Sequence, residues 1–347
     1  MKVVNPRAFV SRGLGSAILL FVGLLFTAYL VWHAGAPAVF AILRASSLLV
    51  LLLLPVHVFV IGLDVMSWRL LLIDVSRRPR FSRLTWLALL REAVNGLLPV
   101  ARVGGELLGI RLLARMGVSI YQAAASVVVE VSLTLISQFL FVLLGVVLLL
   151  CWAGAVHLLI EVLYALFAVV PVLVLFFWLQ GRVGLFSLIQ KLLRRLSGGR
   201  DFLALLGDPL RLDAEIAQLY KRRLTLLWAN VWQLSSLFAG AGELWLSFVL
   251  LRHPISGPAA FLLESLGQAL RSMVFFMPAA VGVQEGGFIL FGAAVGVGPD
   301  LALAYSLLRR FRELALGLPL LLFWYVLEGK QIHHIWLRNR CLGDESV

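Results

Sequence analysis

Six apolar runs dominate the chain, at 14–33, 46–73, 119–151, 156–180, 224–251 and 300–328. Each is long enough to cross a bilayer, which takes about 20 residues of helix. A spanning backbone must satisfy its own hydrogen bonds, and no alternating, barrel-like segment is present, so every span is expected to be helical. The chain is 61% hydrophobic and only 14% charged, with mean hydropathy +0.99, which is more apolar surface than a soluble fold can hide. The first run follows Lys2, Arg7 and Arg12 and imitates a signal peptide, but it is longer than the usual apolar core of one and reads as a retained span.

The net charge of +12 would suggest nucleic acid in a soluble protein. Here Lys and Arg instead fix orientation and meet anionic headgroups, so nucleic acid is not an expected partner. Basic residues concentrate in the N-terminal tail, in 69–83, in 181–223 and in the C-terminal tail, whereas the opposing connections offer Arg44 and Arg252. This asymmetry predicts a multi-pass membrane protein with both termini cytoplasmic. Segment 181–223 is then a basic, amphipathic cytoplasmic linker against the inner leaflet. Cys151 and Cys341 fall on opposite sides of the membrane, and no CxxC or His/Cys cluster exists, so neither a disulfide nor a metal or other cofactor is expected.

Two stretches, 83–117 and 259–298, fit neither loop nor span. Each has a helix-compatible apolar piece, a Pro/Gly break, and a second piece too short to cross, which predicts a re-entrant hairpin. A shift of 179 residues lays Pro99 on Pro278, Glu106 on Glu285, Gly117-Val118 on Gly296-Val297, and Asp64 on Glu243. Three full spans separate the two motifs, and an odd number inverts orientation. The expected fold is therefore all-α and polytopic: about six transmembrane helices plus two broken-helix hairpins in an inverted repeat. Within one membrane domain, 14–151 forms the first half and 156–180 plus 224–328 the second. Paired broken segments in the two halves of a membrane protein point to a transporter's binding site.

At each break, Pro99 or Pro278 ends one helix and a half-helix begins at Gly104-Gly105 or near Gly282. Its N-terminus carries partial positive charge and suits an anion such as a lipid phosphate. Glu106 and Glu285 sit in the first turns, either as caps or as sites for a headgroup amine or a proton. In the last run, Arg309, Arg310, Arg312 and Glu313 lie about 15 Å deep at 1.5 Å per residue. Each charge there costs at least ~2.5–3.5 kcal/mol, so partners are required. The repeat sets Glu130 opposite Arg309, predicting an ion pair, with Arg310 turned away and Glu313 reaching Arg309 along the helix. Asp64, Glu243, Glu264 and Arg271 are expected at the rim of a polar cavity, with Asp64 and Glu243 alternatively interfacial.

The stretch LLPVARVGGELLGIRLLARMGVS (97–119) resembles the first signature of the lysylphosphatidylglycerol synthase transmembrane family, the flippase-like domain. Pro99, Arg102, Gly104, Gly105, Glu106 and Arg111 carry that resemblance. MPAAVGVQEGGFILFGAAVGV with LLRRFRELALGLP resembles the second signature, and especially its hopanoid-biosynthesis-associated branch, through Gly282, Val283, Glu285, Gly286, Arg309, Arg312 and Glu313. The likeness runs over roughly 15–330. Ala279-Ala280 stand where many members have Gly-Gly, and the cytosolic aminoacyl-transfer domain is missing. The resemblance implies the flippase half of such proteins without the synthase activity.

These features together predict a lipid flippase and not an enzyme. It would move a hopanoid or an anionic or aminoacylated phospholipid between leaflets. Candidate headgroup sites are Arg102, Gly104, Gly105, Gly282, Arg309 and Arg312. Candidate proton or carboxylate sites are Asp64, Glu106, Glu130, Glu243, Glu285 and Glu313. The expected partners are membrane lipids. Alternatives are a secondary transporter of a small solute, or a scaffold for a lipid-modifying enzyme partner acting through the basic linker.

Overall fold

The computed structural model describes residues 44, 48–73, 75, 78–98, 104–153, 209–273 and 282–343. The expected spans 14–33 and 156–180, most of the linker, and Pro99, Arg102 and Pro278 lie outside them. Every regular element among the described residues is helical. A 3-10 turn at Leu48–Leu52 leads into α1 (Leu53–Leu71), followed by α2 (Phe81–Leu97), α3 (Gly104–Arg115) and α4 (Ile120–Ala153). After the linker come α5 (Pro209–Lys221), α6 (Arg223–Leu250), α7 (Gly257–Met273), α8 (Val283–Ala294) and α9 (Pro299–Gly343).

Two helices among the described residues, Leu48–Leu71 and Ile120–Leu148, are long and apolar enough to cross a membrane by length and composition. The expected runs 224–251 and 300–328 also form long helices, α6 and the first part of α9. Both carry polar residues turned inward, among them Gln233, Glu243 and Ser247 on α6 and Ser306 and Arg312 on α9.

The stretches read as hairpins each hold two described helices, 17 then 12 residues in α2 and α3, and again 17 then 12 in α7 and α8. Leu98 ends α2 with ψ 146, the extended backbone that a following proline enforces. The 179-residue shift carries Gly104 onto Val283, Arg115 onto Ala294 and Ile120 onto Pro299, the bounds of corresponding helices. The packing corresponds as well. The α2–α9 contact has its counterpart in α7–α4, α1–α2 in α6–α7, and α3–α4 in α8–α9, while α1 and α6 pack on each other most broadly of all.

Charge lies inside and grease outside. Arg91, Glu130, Glu243, Glu264, Arg271, Glu285 and Arg312 are buried. Phe59, Leu144, Leu227, Trp228, Phe311, Leu322 and Tyr325 are exposed. Water would reverse this distribution, whereas a hydrocarbon solvent selects it. Within the linker, α5 buries Leu212 and Ile216 against α4, so this part docks on the helical body instead of resting on a leaflet by itself.

The turns that close α3 and α8 are built alike. Gly117 (φ 93) and Gly296 (φ 77) take the left-handed conformation. The next residues donate back into the helix, Val118 N–H to Leu113 O at 3.2 Å and Val297 N–H to Gly292 O at 2.8 Å. Both match the glycine-terminated helix end. A Cβ at Gly296 meets nothing within 4 Å, so Gly296→Ala isolates the backbone cost. It is expected to lower unfolding stability by about 1–2 kcal/mol, measured in detergent, with no loss of assembly.

Candidate functional site

Arg91 on α2 is the hub of one buried network. Its guanidinium sits 4.4 Å over the Trp68 ring of α1. Nη1 donates to Glu130 Oε2 on α4 at 2.8 Å, and Nη2 donates to Glu106 on α3. One turn on, Asn95 donates to Glu106 Oε1 at 3.3 Å and accepts the Gly105 N–H at 2.9 Å. Asp64 on α1 is close enough to interact electrostatically with Arg91, Glu92 and Glu106. The sequence permits this approach because α3 has glycine at 105 and again at 109, where a Cβ would stand 2.8 Å from Arg91 Cδ. A Cβ at Gly105 would stand 2.5 Å from the Arg91 carbonyl oxygen and 2.6 Å from Asn95 Oδ1.

A second network gathers on α9. Arg309 Nη1 donates to Glu264 Oε2 on α7 at 3.3 Å, and its Nε lies 3.6 Å from Glu313. Arg310 donates to Glu285 Oε1 on α8 at 3.2 Å and to Glu313 Oε2 at 3.0 Å. Arg312 donates to Glu243 on α6. Glu264 also accepts Arg271 Nη2 at 2.7 Å and Gln268 Nε2 at 3.2 Å. The other oxygen of Glu285 accepts the Gly282 N–H at 2.6 Å and so caps α8.

His57 on α1 joins the two networks. Its Nδ1 is 3.0 Å from Glu243 Oε2, and its Nε2 is 3.0 Å from both oxygens of Glu92. Glu92 directly follows Arg91, so adjacent residues of α2 reach into different networks. The Glu92 side chain is 41% exposed, against 9% for His57 and 5% for Glu243, so the cluster opens at Glu92.

Several expectations change. Glu130 does not pair with Arg309; it binds Arg91, because α3 packs on both α2 and α4 and the long Arg91 side chain reaches Glu130 across it. Arg310 is not turned away but holds Glu285 and Glu313. Glu243 is buried in the cluster, not interfacial, and Glu264 is central to it, not at its rim. The N–H groups of Gly105 and Gly282 are engaged by Asn95 and Glu285, so these two donors face protein acceptors. Gly104 opens α3 and is half-buried. Arg102 lies outside the described residues. The pairing of Arg309 with Glu313 along α9 appears at the anticipated spacing.

Arg91, Glu92, Asn95 and His57 were not singled out from the sequence. Arg91-Glu92 is a charged pair midway along an apolar 17-residue helix, the same signal that drew attention to Arg309–Glu313. His57 gave no such signal, because a lone histidine in a span has no spacing pattern.

The family described as Lysylphosphatidylglycerol synthase TM region matches residues 15–320. The chain belongs to this family. With apolar helices that present Leu, Phe and Trp outward, it is a membrane protein with transmembrane helices. A search of curated proteins finds no match to the chain.

Removing one member of a buried ion pair strands the other, which costs more than the pair contributes. Arg91→Met leaves Glu106 and Glu130 facing each other and is expected to destabilise by roughly 3–5 kcal/mol. Arg91→Met with Glu130→Gln should recover part of that loss. The double-mutant cycle, read by unfolding in nanodiscs, is expected to be strongly non-additive; simple additivity would show that the network is not coupled.

Proposed function

We propose that this chain moves a polar-headed lipid between the leaflets of the bacterial inner membrane, as a transporter and not an enzyme. The observation that carries the reading is the charge balance of the buried cluster. Asp64, Glu92, Glu106, Glu130, Glu243, Glu264, Glu285 and Glu313 converge on five arginines, Arg91, Arg271, Arg309, Arg310 and Arg312, with His57 between two of the acids. Within this cluster, as far as the described residues form it, the eight carboxylates outnumber the five guanidiniums, and each of these arginines already has a carboxylate partner.

A bare phosphate would share these arginines with the carboxylates already bound to them and would add further negative charge. A headgroup bearing an amine instead adds a cation among carboxylates that outnumber the described arginines of the cluster. The balance therefore favours an aminoacylated or other amine-bearing phospholipid over an anionic one, which agrees with the lipid named in the family's description. A hopanoid with an amine on its polar end would meet the same requirement.

Matching helix lengths and exchanged packing partners support an inverted repeat, with the two broken-helix segments as re-entrant hairpins and both termini cytoplasmic. In such an arrangement α2 and α9 rock against α7 and α4, and the headgroup crosses through the polar cluster while the tails stay in lipid.

Proteoliposomes carrying acyl-chain-labelled lipids test this directly. Amine-bearing lipid is expected to move faster than phosphatidylglycerol. Glu106→Gln and Arg309→Ala should each slow it at least about tenfold, equivalent to ~1.4 kcal/mol on the barrier. Rates equal to those of protein-free vesicles would overturn the proposal.

A further inference from the structure

We propose that His57, clamped between Glu92 and Glu243, is a proton-binding site that couples the movement of lipid to the proton gradient. This inference rests on the transport reading above and assigns its coupling ion. It comes from counting hydrogens. A neutral imidazole carries one N–H and one lone pair, so it donates in one direction and accepts in the other. Both ring nitrogens of His57 stand 3.0 Å from carboxylate oxygens, and ionised carboxylates only accept. With a neutral ring, one nitrogen lone pair would face a carboxylate lone pair inside the protein. The arrangement closes only with one additional proton shared by the trio; imidazole is the strongest base of the three, and on it the proton makes both bonds donating and sets a cation between two anions.

The surroundings fix what that proton does. Four elements pack on α1 beside the 3-10 turn: α2, α4, α6 and α9. From α2 come Glu92, which touches the ring, and Arg91, held by Glu106 and Glu130. From α6 comes Glu243, and from α9 come Arg312, bound to Glu243, and Arg309, bound to Glu264 and Glu313. From α4 comes Glu130, taken up by Arg91. On α1 itself, Asp64 lies two turns along the helix and within electrostatic range of Arg91.

Glu243 thus keeps Arg312 when the ring loses its proton, whereas the hydrogen bonds described for Glu92 go to His57. Release weakens one tie between α2 and α1, beside the Arg91–Trp68 contact, and leaves the α1–α6 contact in place. The route for exchange is Glu92, the accessible member of the trio. A protonated site holds the broken-helix element α2–α3 against the body, and a deprotonated one loosens it. That is the differential a gradient needs to drive alternation.

Two measurements separate this site from the transport reading. Nitrogen-15 histidine spectra of the full chain in nanodiscs, with His57 assigned by its disappearance in His57→Gln, are expected to show both ring nitrogens protonated at neutral pH. In proteoliposomes, an imposed pH gradient is expected to change the wild-type rate of lipid movement several-fold, whereas His57→Gln should give equal rates with and without it. Glu92→Gln, at the exposed end of the trio, should abolish the response in the same way and serves if His57→Gln does not fold. Wild-type movement indifferent to the gradient overturns the coupling and leaves the proposed function standing. Absence of any lipid movement overturns the proposed function, and the spectra then decide the proton site alone. A neutral His57 ring at neutral pH overturns it.

Discussion

A guanidinium in a bilayer cannot be left without a partner, and that constraint organises this protein. Arg91 brings Glu106 of α3 and Glu130 of α4 to one level, while Arg309, Arg310 and Arg312 bring α6, α7 and α8 to α9. Hydrophobic burial supplies little direction here, because lipid tails are as apolar as leucine. The pairs supply it instead. Each fixes two helices at one depth and one rotation, since a shift by one residue would turn a charge into hydrocarbon. Close packing of apolar side chains then fills the space around them, as where Phe141 meets Phe238 and Phe261 with centroids 5.4 and 4.7 Å away.

The broken helices make this geometry reachable. An unbroken 30-residue helix would carry its side chains past the centre of the membrane. Breaking it after Leu97 and restarting at Gly104 brings Glu106 back beside Arg91 and Asn95. The break exposes backbone donors, and the protein satisfies two of them internally, through Asn95 on Gly105 and Glu285 on Gly282. The helix ends therefore shape the site, and its charge balance is set by the side chains around them.

The two sets of helices agree in length and partners but not in charge. At the 179-residue shift Glu106 meets Glu285 and Asp64 meets Glu243, yet Glu130 falls on Arg309, Leu133 on Arg312 and Thr134 on Glu313. Two sets of helices of matching lengths therefore carry a single lopsided network: Arg91 and three acids on one side, four arginines and their carboxylates on the other, with His57 at the join.

By itself the sequence determined the helical class, the membrane solvent and the division of 83–117 and of 259–298 into two helices each. All of these follow from local properties: run length, hydropathy, and Pro and Gly placement. It also determined the equivalence of the glycine turns at Gly117 and Gly296, because a left-handed residue has a local signature. Which carboxylate meets which arginine was decided only by the tertiary structure. Repeat register suggested Glu130 for Arg309, but a pair depends on the rotation and depth of two helices far apart in sequence, and α2 places Arg91 there first. His57 shows the same limit: one histidine carries no pattern, and its two carboxylates lie 35 and 186 residues away along the chain.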